Sequence, residues 1–175
     1  MPEIISARLT DLRIIKIEVN EDARGSFTNL MPPEILCESP WVGGVKQVNI
    51  SYNKIAGTVR GMHCQLPPYD ESKLIKCIKG RVFDVVIDLR EGSSTYMQWE
   101  AIELSSQNEL TLVVPKGFAH GFQTLEDECE LLYCHSSIYK HEYESGLNPL
   151  DPKVNIAWPL PIMSISEKDK NRSFR

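Results

Sequence analysis

The stretch from Gly57 to Ile78, GTVRGMHCQLPPYDESKLIKCI, gathers Arg60, His63 and Lys73 around one glycine and a proline-rich loop. An imidazole titrates near neutral pH and can take or return a proton, while a guanidinium and an ammonium beside it can hold an anion. These residue types converging on one place suit chemistry on a small anionic ligand, and the active site is expected here.

Such groups need rigid supports. The flanks TVRGMHCQ and KLIKCI are rich in β-branched and apolar residues and bracket Pro67, Pro68 and Asp70, which reads as strand, loop, strand. Side chains alternate across a strand, so Arg60 and His63 should face opposite sides unless the ladder is interrupted between them. Gly61 is the residue that could supply that bulge.

The rest of the chain reads in the same terms. Residues 4–19 alternate loosely and suggest one or two strands, the second running into NEDARGSF; PPEILCESP at 32–40 suggests a short helix ended by Pro40. VKQVNISYN has Val48, Ile50 and Tyr52 on one face and Gln47, Asn49 and Ser51 on the other, a period-2 strand whose polar face suits a barrel that binds something. After a turn at Lys79–Gly80, Val82, Asp84, Val86 and Asp88 alternate with Phe83, Val85 and Ile87. TYMQWEAIELS and ELTLVVPKGFAHGFQTL read as two more strands, and ECELLYCHSSIY as another. Short strands about every ten residues, linked by Gly, Pro, Asn and Ser, predict an all-β sandwich or barrel of jelly-roll type. The proline-rich tail should wrap the barrel and end in a helical turn from Ser166.

Composition sets limits. With 175 residues, 42% hydrophobic and 25% charged, the chain is expected to form a single domain over 1–175 with a real core. A net charge of -5 with interspersed basic residues leaves no stripe suited to a phosphate backbone, so nucleic acid is not an expected partner. The N-terminus carries charges every few residues and offers neither a signal-peptide apolar region nor a membrane span, which places the protein in the cytoplasm with no membrane partner. Five cysteines without C-x-x-C spacing read as small buried thiols.

Six segments then combine: RGMH at 60–63, KLIKCIKGRVFDVVIDLR at 73–90, PKGFAHGF at 115–122, LLY at 131–133, IAWP at 156–159 and SEKD at 166–169. With ARGSF at 23–27 they run in one order over almost the whole chain, which resembles the dTDP-4-dehydrorhamnose 3,5-epimerases of deoxysugar biosynthesis. The resemblance implies a cupin-type jelly roll with a few short helices and a homodimer that exchanges N-terminal segments. It also implies no metal or organic cofactor, and a nucleotide-linked 4-keto-6-deoxyhexose as substrate.

Carried over by position, the resemblance makes His63 the base that removes a proton beside the keto group and Asp169 the carboxylate that orients it. Tyr133 becomes the acid that returns a proton to the opposite face, and Lys73 the cation near the enolate oxygen. Arg60 and His120 become pocket residues, with Arg60 facing the diphosphate. Arg24 and Phe27 belong to a segment contributing to the nucleotide site, and Gln47 and Asn49 to a pocket-lining strand. The chemistry is coherent: a proton beside a ketone needs a base of near-neutral pKa and positive charge where the oxyanion develops, and inversion needs an acid on the far side.

Taken singly, His63 reads as a satisfied strand histidine, Tyr133 as amphipathic core, Asp169 as part of a capping box from Ser166, and Arg60 and Lys73 as surface cations. His135 and His141 match no family motif and read as surface residues. PKGFAH resembles the second histidine motif of metal-binding cupins, but the first motif here supplies only His63, Cys64 and Gln65, so no metal is expected. The chain departs from the family pattern at Asn29, at Ile138–Tyr139 and at Pro149–Leu150, positions nearer recognition than chemistry. Single-centre epimerases share the same catalytic residues and stay open as an alternative, as does a non-epimerase cupin, either 3,4-ketoisomerase-like or a sugar-binding module.

Overall fold

A strand that alternates apolar and polar side chains can bury one face and expose the other, and a strand apolar on both faces must be covered twice; this chain uses both solutions. In a computed structural model, which describes residues 2–33, 36 and 39–174, β1 (Glu3–Ser6) pairs with β2 (Arg13–Lys16), and β3 (Val19–Asp22) forms a separate hairpin with β4 (Gly25–Thr28). Of the helix expected over 32–40, residues 34, 35, 37 and 38 lie outside those described. Next come β5 (Gln47–Asn53), β6 (Thr58–Gln65), β7 (Lys73–Lys79), β8 (Arg81–Asp88), β9 (Trp99–Ser105), β10 (Leu110–Val114), β11 (Phe118–Thr124) and β12 (Cys129–His135). β13 (Glu144–Gly146), β14 (Ser164–Ile165) and the one-turn helix α1 (Glu167–Lys170) complete the chain.

The strands form two main sheets, ordered β1-β2-β10-β7-β12-β5 and β13-β6-β11-β8-β9, with β14 lying parallel to β6. All other pairings among the described residues are antiparallel. Between the sheets, Ile14, Ile75, Leu112 and Leu131 of the first meet Val82, Val86, Ile102, Leu104 and Phe122 of the second. The second sheet is apolar on both faces. Its outer residues Met62, Val85, Ile87 and Ala119 are covered by Leu147, Val154 and Ile156, so the proline-rich tail wraps the barrel as expected. The fold is the cupin-type jelly roll.

One strand expectation is corrected. Residues 110–124 are two strands, β10 and β11, which lie in opposite sheets. Proline cannot continue a ladder, and Gly117 takes φ +81°, so the chain turns at 115–117 and crosses over.

Candidate active site

The parity problem at Arg60 and His63 is solved at Gly61. In the pairing of β6 with β11, His63 stands opposite His120 and Arg60 opposite Phe122, so Gly61 and Met62 together face the single residue Gly121. This bulge, at a cis Gly61–Met62 peptide, returns Arg60 to the face of His63 and sends the Met62 side chain into the core behind the sheet. Backbone meets backbone here: a Cβ on Gly61 would stand 2.5 Å from the Cα of Gly121, and one on Gly121 would stand 2.7 Å from the carbonyl oxygen of Arg60. Only glycine fits at either position.

Two adjoining cavities of about 500 and 540 Å³ open on this face and share Arg60, His63, Lys73 and His135. The larger also receives Asn49, Ser51, His120 and Tyr133, and the other receives Glu71, Tyr139, Glu144, Lys168 and Asp169. His63, Tyr133, Asp169, Lys73, Arg60, His120 and Asn49 therefore border one continuous region. Gln47 sits at its rim, donating to Asn49 Oδ1 at 3.1 Å and accepting from the Tyr139 amide at 2.9 Å. Arg24 and Phe27 are not brought there: they line a separate shallow hollow on the β3–β4 hairpin, where Arg24 is paired with Asp22 at 2.6 Å.

His63 Nε2 lies 2.5 Å from Asp169 Oδ1. Burial works against ionisation of Asp169, but the hydrogen bond and charge of His63 and the Gly61 amide outweigh it and hold the carboxyl below its ordinary range. An ionised carboxylate only accepts, so Nε2 carries the hydrogen and Nδ1 the lone pair. α1 supplies this carboxylate. Ser166 caps the helix by accepting from the Asp169 amide at 3.0 Å, while the Asp169 side chain is committed to His63 and to the Gly61 amide. The N-cap and the histidine partner are thus one device: the cap fixes the turn that aims the carboxylate.

Lys73 is buried, with its ammonium donating to the His63 carbonyl at 3.2 Å and standing 3.4 Å from Glu71. The Tyr133 hydroxyl meets Ser51 Oγ at 3.3 Å, and its ring lies edge-on to His120 at 6.1 Å. Desolvation pushes the Tyr133 phenol well up, which keeps it protonated as a proton donor must be. Arg60 is steered by Asn53 Oδ1 at 2.7 Å.

Several participants escape a reading of the sequence. Asp84, wholly buried, bonds His120 Nε2 through both oxygens at 2.9 Å, with burial pushing its carboxyl up against the pull of His120. Glu144 accepts from Tyr139 at 2.5 Å and Lys168 at 2.6 Å and pairs with Arg172; despite desolvation these partners draw its carboxyl down to about 2. The SEKD motif already contained Lys168, but nothing local marked Glu144. His135 corrects its expectation as a surface residue: its side chain is only 12% exposed and lines both cavities. Among the described residues no group of three or more His, Cys, Asp or Glu could hold a metal ion, and no helix is long and apolar enough to cross a membrane.

Comparison with known proteins bears on this arrangement. A family model described as dTDP-4-dehydrorhamnose 3,5-epimerase matches residues 6–174. The chain is 37% identical over 170 residues to the dTDP-4-dehydrorhamnose 3,5-epimerase of Shigella flexneri, covering 96% of this chain and 93% of that one. It is 38% identical over 157 residues to a dTDP-4-dehydrorhamnose 3-epimerase of Streptomyces niveus, covering 88% and 74%. Among solved structures, a dTDP-4-dehydrorhamnose 3,5-epimerase from Bacillus anthracis with TDP and PPi bound superposes with a TM-score of 0.94 at 34% identity, covering all of both chains.

Proposed function

The chain belongs to the dTDP-4-dehydrorhamnose 3,5-epimerase family, and from that premise we propose that it inverts C3 and C5 of a nucleotide-linked 4-keto-6-deoxyhexose. The expected reaction converts dTDP-4-dehydro-6-deoxy-glucose to dTDP-4-dehydrorhamnose. The observation that carries this reading is the short His63–Asp169 bond in the same cleft as the Tyr133 hydroxyl and the Lys73 ammonium.

The steps balance. His63 Nδ1 takes the proton from the carbon beside the ketone, the C–H pair moves into a C=C bond, and the carbonyl oxygen becomes an enolate. Asp169 faces the imidazolium so formed, and Lys73 meets the oxygen's new charge. The enolate carbon then takes a proton from Tyr133 on the opposite face, and solvent returns both groups to their starting states. Arg60 holds the diphosphate, and His120, kept in place by Asp84, lines the sugar pocket.

The nucleotide end is completed by a second copy of the chain. β5 is the free edge of its sheet, and its outer face presents Val48, Ile50 and Tyr52, each at least half exposed. The β3–β4 hairpin holds Phe27 out at 73% exposure. An apolar edge strand and an unsupported aromatic are surfaces that a partner covers, which supports a homodimer in which Arg24 and Phe27 reach the neighbouring cleft. Cys77, Cys129 and Cys134 are buried thiols, which suits a reducing compartment and supports a cytoplasmic enzyme.

The similarity to a 3-epimerase supports a second reading, inversion of one centre only. Turnover in D2O distinguishes the two: deuterium at both C3 and C5 of the product by NMR is expected, and label at one carbon establishes the single-centre reaction. No exchange at either carbon refutes both.

A further inference from the structure

A third histidine–carboxylate pair stands in the cleft, unused by the steps above. His135 Nδ1 lies 2.9 Å from Glu71 Oε2, with side chains 12% and 8% exposed. The Glu71 side chain is buried, yet the hydrogen bond and charge of His135 and the charge of Lys73 hold its carboxyl below the ordinary range, so it accepts and Nδ1 donates. The lone pair of the neutral ring is then at Nε2, which lies 3.3 Å from the Asn49 side-chain nitrogen.

Followed outward, the bonds have one direction. Gln47 Nε2 donates to Asn49 Oδ1 at 3.1 Å, Asn49 donates to His135, and His135 donates to Glu71. From the other side, Lys73 reaches the second oxygen of Glu71 at 3.4 Å and the His63 carbonyl at 3.2 Å. The His135 ring also stacks on Tyr133, centroids 6.0 Å apart and planes 22° apart. One neutral tautomer of one histidine thus touches or fixes the pocket amide, the ammonium's partner and the aromatic acid.

We propose that His135 and Glu71 are positioning residues for the epimerisation, holding the Lys73 ammonium, the Asn49 amide and the plane of the Tyr133 ring in the arrangement the enolate meets. The role rests on the reaction proposed above. Lysine is a point charge on a long flexible stem, and an ammonium that must meet an oxyanion gains from a fixed second partner. Because misplacement of about 1 Å at a reacting centre can cost about 100-fold, the pair should govern kcat more than substrate affinity.

The test uses His135→Ala, Glu71→Leu and Glu71→Gln in the full-length protein. His135→Ala and Glu71→Leu are expected to lower kcat by about 10- to 100-fold with KM nearly unchanged. Glu71→Gln, whose amide oxygen still accepts from Nδ1, should recover a clear part of the loss. A raised KM at normal kcat makes the pair a wall of the pocket and overturns the proposal, as does a Gln variant no better than Leu. A readout free of activity is the His135 tautomer by nitrogen NMR: Nδ1–H in the parent protein, lost in Glu71→Leu. An Nε2–H ring in the parent protein overturns the chain of bonds. If the tautomer is as expected but no 4-keto sugar nucleotide is turned over, the reaction falls and takes the role with it, while the hydrogen-bonded chain stands.

Discussion

Replacing Asp169 by asparagine removes one charge and almost nothing else. The Ser166 cap uses the backbone amide of residue 169, so α1 should persist, and an amide oxygen can still accept from Gly61. What changes is the partner of His63, 2.5 Å away, together with the longer pairing of the same oxygen with Arg172 Nε at 3.5 Å. Opposite unit charges about 4 Å apart in partly buried surroundings attract by about 4 kcal/mol. The His63 side chain is 38% exposed, and solvent screening takes roughly half of that, leaving about 2 kcal/mol. The imidazolium exists only after proton abstraction, so this loss falls on the transition state, and about 2 kcal/mol corresponds to roughly 30-fold in kcat. An asparagine can also turn its NH2 towards Nε2 and select the wrong tautomer, which adds to the deficit. Steady-state epimerisation of the 4-keto sugar nucleotide, with thermal melting as control, measures it. A variant within threefold of the parent kcat refutes the view that Asp169 supports the base, and a matching fall in melting temperature shifts the effect to folding.

Two further outcomes follow from other parts of the molecule. The wholly buried carboxylate of Asp88 resists desolvation through bonds from Arg90, Ser93 and Thr95 that lower it from 3.8 to about 2. It therefore contributes about 2 kcal/mol above pH 4 that fades as pH falls towards 2. Urea unfolding of Asp88→Asn should show that deficit at pH 7 and a smaller one at pH 3; equal deficits contradict the assignment. For the dimer, sedimentation should give twice the chain mass at micromolar concentration, and Ile50→Lys on the β5 edge should yield monomer with little activity; a fully active monomer removes the exchanged hairpin from the account.

How much of this was legible depended on how local each signal was. The strand-loop-strand around RGMH could be read because both strands and their breakers lie within one stretch, and the parity conflict at Arg60 and His63 itself pointed to Gly61. The second glycine of that bulge, Gly121, was not visible as such, since its need arises from contact with a strand 60 residues earlier. The single strand expected over 109–125 failed because the break at Pro115, Lys116 and Gly117 is short and lies between two buried strands, where period 2 gives no warning. His135 was misjudged because its partner, Glu71, is 64 residues away, and a histidine without its carboxylate resembles any strand histidine. Asp84 was hidden likewise: on a strand with both faces occupied, a buried acid is intelligible only once His120 is seen above it. Tyr133 and Asp169 were read through the family resemblance, and only the fold explains how a strand and a terminal helix bring them to one cleft.

The central claim is that His63 and Tyr133 act on opposite faces of an enolate, and Tyr133→Phe in D2O tests it most directly. Phenylalanine keeps the ring that stacks on His135 and removes only the hydroxyl that meets Ser51. The base and the cation remain, so the variant should still form the enolate, and recovered 4-keto sugar nucleotide should gain deuterium by mass spectrometry while its configuration by NMR stays that of the substrate. Epimer formed at the parent rate would contradict the account, because the returning proton would then come from a group other than Tyr133.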